Sequence, residues 1–234
     1  MKKIKTAAVI AAAGKGKRFK SDIPKQYVKI GGKEILAHAV MNFERSNLID
    51  GIILVVSRDR RVFVEEKIVK KYGFSKVIGV VSGGKERFNS VCGAVDFLGA
   101  FGPGNVLIHD GARPFFSEKL IPAVLRELKK EKAAIPVKKL TSTVKKVKNG
   151  YTAATLDRDV LRTSQTPQGF RFDCLKRLYK GKNIEKIKPT DEAALFERAG
   201  YKVKIIEDSG FNIKITTRED VEAARQYMKK EKTI

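Results

Sequence analysis

Short apolar runs alternating with helix-period segments predict an α/β fold. The expected architecture is a Rossmann-like, mostly parallel sheet with helices on both faces and a projecting β-hairpin arm. Three observations carry this. The runs AAVIAA (7–12), GIILVV (51–56), KVIGVV (76–81), NVLIHD (105–110) and AAIPV (133–137) are continuously apolar, as strands covered on both faces are. Apolar residues between them recur at helical spacing. Finally, the polar run TVKKVKNGYTAATL is centred on Asn149-Gly150, a pair favoured where both turn residues need positive φ.

Taken in order, the first helical stripe is Ile35, Leu36, Ala39, Val40 and Phe43. The second is Val62, Val64, Ile68 and Val69, the third Val91, Val95 and Leu98, and the fourth Leu120, Val124, Leu125 and Leu128. These read as core-facing stripes. The hairpin, at about 139–156, has few apolar side chains to bury, so its residues fit an ordinary edge hairpin and an arm docked on another subunit equally well. Beyond it come a helix near 172–180, a second opened by Thr190, strands at 202–206 and 212–216 (NIKIT), and a final helix capped by Thr217 with Asp220. With no internal repeat and no linker, residues 1–234 form a single domain with a projecting hairpin.

Composition excludes several classes. The chain has 234 residues, 42% of them hydrophobic, enough for a substantial core. No apolar stretch approaches the roughly 20 residues of a membrane helix. The start MKKIKTAAVIAAAG reads as a buried first strand entering a glycine loop rather than a cleaved leader. Two cysteines and two histidines leave no disulfide framework and little scope for a histidine-ligated metal. A cytoplasmic protein is expected. The net charge of +23 suggests polyanions. Yet the lysines are dispersed, there is no Trp, and aromatics are not interleaved with basic residues as a stacking platform requires. The charge therefore implies at most nonspecific nucleic-acid affinity.

The chemistry concentrates in three loops at predicted strand ends, where open α/β sheets place ligands. The first is AAAGKGKRFKSDIPKQY. A dinucleotide fingerprint would need glycine where Phe19 stands, and no Gly-Lys-Ser/Thr follows to complete a Walker A loop. What remains is a small-residue loop with Lys15, Lys17, Arg18, Lys20 and Lys25, suited to a triphosphate. Pro24 fixes the approach to Lys25. The second loop, SGGKERFNSV, offers backbone N–H groups and Ser90 to a base or ribose. In the third, IHDGARPFF, Asp110 fits Mg²⁺ ligation or a substrate hydroxyl, and Arg113 fits a substrate phosphate.

These three segments, followed in order by LDRDVLRTSQTPQGF, PTDEAALFERAG and NIKITTRED, resemble the 2-C-methyl-D-erythritol 4-phosphate cytidylyltransferase family from about residue 6 to about residue 228. The resemblance implies transfer of a cytidylyl group from CTP to methylerythritol 4-phosphate, releasing pyrophosphate, with Mg²⁺ held mainly by the CTP phosphates and water. Arg18 and Lys25 would stabilise the transition state. Arg158 and Lys214 would position the substrate phosphate. Asp110, Arg113, Thr143, Thr166 and Thr190 would complete the sugar-phosphate pocket. Ala12, Ala13, Gly14, Lys15, Gly16, Gly84, Lys85, Ser90 and Gly111 would contact the nucleotide. It also implies a homodimer that exchanges the arm, so that Thr143 and Arg158 serve the partner's site. Two departures stand out. PVKKLTSTVKKV carries an insertion, with Ser142 where the family often has Asp, and Gly111 replaces a common Ala.

The residue inventory suits such a reaction. A phosphate monoester has a second pKa near 6 and needs no general base to attack. The obstacle is repulsion between two anions, which fixed cations relieve. A ribitol 5-phosphate cytidylyltransferase is the nearest alternative, and Arg158 after Asp157 with the TDEA run at 190–193 favours the methylerythritol enzyme. A basic nucleic-acid-binding protein is the alternative from another class.

Overall fold

The computed structural model describes residues 4–14, 16–19, 21, 23–181 and 189–231. Its strands are β1 (Thr6–Ala11), β2 (Lys29–Ile30), β3 (Lys33–Glu34), β4 (Gly51–Val56), β5 (Val77–Ser82), β6 (Asn105–Asp110), β7 (Ala133–Lys139), β8 (Val144–Lys148), β9 (Tyr151–Leu156), β10 (Arg162–Ser164), β11 (Gln168–Arg171) and β12 (Lys204–Glu207). The main sheet runs β10-β7-β11-β6-β1-β4-β5, with β12 also paired to β7. Its β6-β1-β4-β5 portion is parallel, while β11 joins β6 antiparallel.

Both faces are covered, as the continuous apolar runs require. All six residues of β4 are buried. In β1, Ala7 and Val9 enter one core with Val91, Val95 and Leu98 of α3 (Arg87–Leu98) and Leu175 of α5 (Phe172–Tyr179). Ala8 and Ile10 enter the opposite core with Leu36, Val40 and Phe43 of α1 (Ile35–Arg45) and Val124 of α4 (Leu120–Glu127). That alternation is the two-residue period of a strand. A smaller core joins Phe19, Ile30 and Ile35 to Ile215, Val221 and Ala224. It clamps the C-terminal helix (Arg218–Glu231) over the loop that follows β1.

The hairpin forms as its turn predicts, with Asn149 at φ 50° and Gly150 at φ 82°. Its side chains are exposed throughout β9 and nearly so in β8.

Three expectations need correction. Val62 is 70% exposed, because in α2 (Arg61–Val64) it lies about 200° around the helix from the buried Val64, whereas Val64, Ile68 and Val69 of α2 and the π-helical stretch after it (Glu65–Lys70) pack on the core. The NIKIT segment is not a strand. Its one ladder-like bond, from Ile215 N–H to the Ala112 carbonyl, stands alone, and the carbonyl of Asn212 accepts from the Arg113 guanidinium instead. Thr190 does not open a helix, since the helix Ala193–Arg198 starts three residues later and the Asp191 carboxylate takes the Ala194 N–H. The final helix begins as expected, with the Asp220 carboxylate accepting from the Thr216 and Thr217 N–H groups. Among the described residues no helix is long and apolar enough to cross a membrane.

Candidate active site

Strand order reverses around β1, whose parallel neighbours β4 and β6 leave it in opposite directions. Ala11 and Asp110 pair at the carboxyl ends of β1 and β6. Open α/β sheets bind ligands at such a switch point. Here it opens a cavity of about 510 Å³ lined by the loops after β1, β5 and β6 and by Lys214 and Thr216 from the C-terminal region.

The loop after β1 is held by its own sequence. Gly16 sits at φ 62°, a backbone region that a side chain disfavours. Gln26, on a 3₁₀ turn of Lys25–Tyr27, donates its amide to the carbonyls of Ala12 (2.8 Å) and Gly14 (3.2 Å). Lys25 Nζ donates to the Ile215 carbonyl at 2.6 Å, and the buried Ile215 packs on Phe19, so the loop after β1 and the C-terminal region are pinned together. The loop after β5 packs so closely that a Cβ on Gly83 would lie 2.3 Å from the Ala13 methyl. Ser90 accepts from Gly84 N–H and donates to the Glu86 carbonyl, both at 3.0 Å, so its hydroxyl shapes this loop.

Five cations line the cavity, Arg18, Lys25, Lys85, Arg87 and Lys214, against the carboxylates of Glu86 and Asp110. Asp110 organises them. Its Oδ1 faces Arg87 Nε at 3.5 Å, and its Oδ2 faces Lys214 Nζ at 2.8 Å and Arg113 Nε at 3.5 Å. Burial alone would raise the Asp110 pKa, but these three cations outweigh it and hold the carboxyl well below the usual carboxylate range. Arg87 also reaches Glu192 at 2.7 Å, and Tyr179 donates to that same carboxylate. Burial disfavours the charged guanidinium, but Glu192 and Asp110 raise its pKa above the ordinary arginine value. Lys25 moves the other way, since burial and then the charge of Lys214 lower its pKa. Two crowded ammonium groups constitute a site that gains when an anion enters between them.

Behind this wall lies a hydrogen-bond chain. Asp110 N–H donates to Thr166 Oγ1 (3.2 Å), and Thr166 lies 2.8 Å from His109 Nδ1. His109 Nε2 lies 2.9 Å from the Arg113 carbonyl. A carbonyl only accepts, so these partners assign the proton to Nε2 and leave Nδ1 to accept from Thr166. Burial lowers the His109 pKa to about 4, keeping the ring neutral.

The residues expected from sequence divide into two groups. Ala12, Ala13, Gly14, Gly16, Arg18, Lys25, Gly84, Lys85, Ser90, Asp110 and Lys214 line the one cavity. Lys15 lies outside the described residues. Gly111 is buried, and a Cβ there would come within 2.9 Å of the Ala12 methyl. Arg113 donates to the carbonyls of Asn212 (2.6 Å) and Ser164 (3.4 Å) rather than projecting into the cavity. Thr166 is buried behind the wall. Thr143, Arg158 and Thr190 are exposed and do not line the cavity of their own chain, and Arg158 is tied to the Thr141 carbonyl at the arm's base.

The donor set does not build a magnesium site. Both Asp110 oxygens already face cations, and no group of three His, Cys, Asp or Glu side chains is placed to hold a metal among the described residues. Sequence reasoning also missed Gln26, Arg87 and Glu192. The only available signals were the Gln inside PKQY and a Glu opening an apolar helix.

Comparison with known proteins agrees with this geometry over nearly the whole chain. The family described as 2-C-methyl-D-erythritol 4-phosphate cytidylyltransferase (IspD) matches residues 6–230. A curated protein of that name from Geobacter metallireducens is 41% identical over 227 residues, covering 95% of this chain and 97% of the relative. One from Clostridium acetobutylicum is 41% identical over 225 residues, with 95% and 97% coverage. Among solved structures, 4-diphosphocytidyl-2C-methyl-D-erythritol synthase from Anaerococcus prevotii superposes with a TM-score of 0.83 at 33% identity, covering 96% of both chains. The Francisella tularensis cytidylyltransferase gives 0.80 at 32% identity, covering 95% of this chain and 99% of that one.

Proposed function

This chain belongs to the 2-C-methyl-D-erythritol 4-phosphate cytidylyltransferase family and is a nucleotidyltransferase, and we propose that it joins CTP to 2-C-methyl-D-erythritol 4-phosphate in the cytoplasm as follows. A 4-phosphate oxygen attacks the α-phosphorus of CTP. The new P–O bond forms as the bond to the β-phosphate oxygen breaks, and pyrophosphate leaves with that electron pair. The products are 4-diphosphocytidyl-2-C-methyl-D-erythritol and pyrophosphate. The observation that carries this reading is one switch-point cavity that gathers Arg18, Lys25, Lys85, Arg87 and Lys214 against the carboxylates of Asp110 and Glu86.

The attacking phosphate is already largely dianionic near neutrality, so no base is required. This agrees with a site whose nearby histidine, His109, is buried, neutral and occupied on both nitrogens. The work of the chain is electrostatic. Lys25 and Arg18 face the charge that grows on the α-phosphate and the leaving pyrophosphate. Lys214, fixed by Asp110, holds the incoming phosphate. Preorganised charges of this kind typically lower a barrier by roughly 3–4 kcal/mol each. The loops after β1 and β5 present backbone to the nucleotide. Magnesium enters as the counter-ion of CTP, part of the substrate, because the described residues offer no donor set of their own.

Thr143 and Arg158 lie away from this cavity, and they fit a homodimer in which the arm crosses to the partner. Support comes from Val147 (64%), Tyr151 (80%) and Val160 (77%), apolar side chains exposed along and beside a hairpin that buries almost nothing against its own body. A lone two-stranded hairpin is marginally stable. Thr166 and Arg113 serve as supports for Asp110, and Thr190 is the remaining candidate substrate contact.

The test is pyrophosphate release, measured with each nucleoside triphosphate against methylerythritol 4-phosphate and ribitol 5-phosphate. Turnover is expected with CTP and methylerythritol 4-phosphate far above every other pair. Equal or faster turnover with ribitol 5-phosphate would replace the substrate assignment.

A further inference from the structure

A second cavity, of about 610 Å³, lies on the far side of the turn that carries Lys25 and Gln26. Tyr27 and Phe63 form its apolar wall, meeting edge to face at 5.2 Å. Its rim carries Lys29, Arg60, Lys67 and Lys71 against the one carboxylate of Glu34. That carboxylate is already engaged, accepting from Tyr72 Oη at 2.6 Å and pairing with Lys71 at 3.4 Å. Arg60 lies 6.0 Å from the Tyr27 ring centroid and 5.9 Å from that of Phe63, with the exposed Asp59 as its salt-bridge partner. Lys29 and Lys67 have no ion-pair partner among the described residues.

Tyr27 is 7% exposed with its hydroxyl oxygen wholly buried, so the face it offers the cavity is its apolar ring. Burial pushes the Tyr27 pKa up to about 12, so that side chain stays uncharged throughout the physiological range. An aromatic wall beneath a ring of cations defines its complement. That complement is an organic anion with an apolar body and a compact acidic head. Its body would cover Tyr27 and Phe63, and its head would meet Arg60, Lys67 and Lys29.

The position of this cavity gives it a consequence for catalysis. Tyr27 follows directly on Lys25 and Gln26 in a single 3₁₀ turn. Gln26 holds the carbonyls of Ala12 and Gly14, and Lys25 holds that of Ile215. A ligand that moves the Tyr27 ring therefore moves the two side chains that shape the nucleotide loop. We infer that this cavity is an effector site for an amphipathic organic anion, coupled to the nucleotide site through the Lys25–Tyr27 turn. The binding half of this inference stands without the reaction assigned above, and the coupling half rests on it.

The probe is 8-anilinonaphthalene-1-sulfonate, an apolar fluorophore with one sulfonate. It is titrated into the full chain with and without saturating CTP and magnesium, and N-phenyl-1-naphthylamine serves as the uncharged control. One saturable sulfonate site that survives CTP is expected. Its affinity should fall about tenfold or more in the Arg60→Gln, Lys67→Gln double variant. The uncharged control should not respond to the double variant. Both altered cations are partly exposed and outside the nucleotide cavity, so basal pyrophosphate release by the double variant should match the unaltered chain. Its sensitivity to the sulfonate should be lost. Displacement by CTP, non-saturable binding, or an affinity indifferent to Arg60 and Lys67 would overturn the site. Saturable binding that leaves turnover unchanged would overturn the coupling, and it would do so without touching the reaction itself.

Discussion

The switch-point cavity and the hairpin arm are built on opposite plans. At the centre of the cavity, the buried carboxylate and the cations on it are braced from behind. Asp110 is fixed by Arg87, Arg113 and Lys214, its backbone by Thr166, and Thr166 by a neutral buried His109. In the arm, β8 and β9 pair only with each other, and their side chains face solvent. The difference teaches where the chain is self-sufficient. The half that the proposed reaction gives to the nucleotide is a product of the chain's own core. Under the proposed reaction, its second-substrate half depends on groups that this core does not orient.

Breaking the cavity side should give the largest change. Lys25→Ala is expected to lower turnover by roughly 10²–10³-fold. Losing Lys25 relieves its repulsion with Lys214 while giving up its hydrogen bond to the Ile215 carbonyl, and the two offset each other so that the melting temperature should hold within about 2–4 °C. Near-normal pyrophosphate release by this variant would remove the assignment.

On the arm side, deleting about 141–154 should turn a dimer into a monomer and reduce turnover by a comparable factor. Sedimentation would read the first outcome, and persistence of the dimer would refute exchange. Melting of the shortened monomer should show that the body folds without the arm, since β8 and β9 contribute little burial to it.

Next in size is a stability effect. Asp110→Asn leaves Arg87, Arg113 and Lys214 around a neutral amide, and breaking a buried ion pair in this way costs about 3–5 kcal/mol. At 2–4 °C per kcal/mol, thermal melting should fall by roughly 6–20 °C. An unchanged melt would mean that the three cations do not depend on the carboxylate.

A smaller, pH-linked effect comes from His109. Its pKa is lowered by burial to about 4, below the unfolded value of about 6.5. The unfolded chain therefore binds the proton first. The stabilisation is complete above pH ~6.5 and is lost progressively as pH falls toward 4, amounting to about 3 kcal/mol in all. Burial lowers the His38 pKa as well, which acts in the same direction. Melting temperatures measured between pH 7 and 5 should decline, and His109→Gln should flatten that decline. A flat profile in the unaltered chain would contradict the buried neutral ring.

How much of this was legible in the sequence varies with the range of the forces involved. Strands 51–56 and 105–110 match to the residue, because a run buried on both faces leaves no ambiguity of phase. The hairpin turn was equally local, since Asn149-Gly150 declares its backbone conformation. The glycine loops were recognisable because they follow such strands. What escaped were long-range polar contacts. Arg87 reads as a solvated helix residue until Glu192, 105 positions away, is placed beside it. The NIKIT segment reads as a strand by alternation, but its backbone is satisfied by Ala112 and the Arg113 side chain rather than by a neighbouring strand. Val62 reads as part of one stripe with Val64, but two residues along a helix point about 200° apart, so one of them had to face solvent.

The claim that the site needs groups from two chains has a direct test in subunit complementation. Lys25→Ala and Arg158→Ala chains, each nearly inactive alone, are co-expressed with different tags, and pyrophosphate release is measured on the mixed dimers. If Arg158 serves the partner's cavity, a mixed dimer has one doubly altered site and one intact site. The mixed dimers should then recover about half of normal turnover. If Arg158 serves its own chain, every site retains a lesion and the mixture stays inactive.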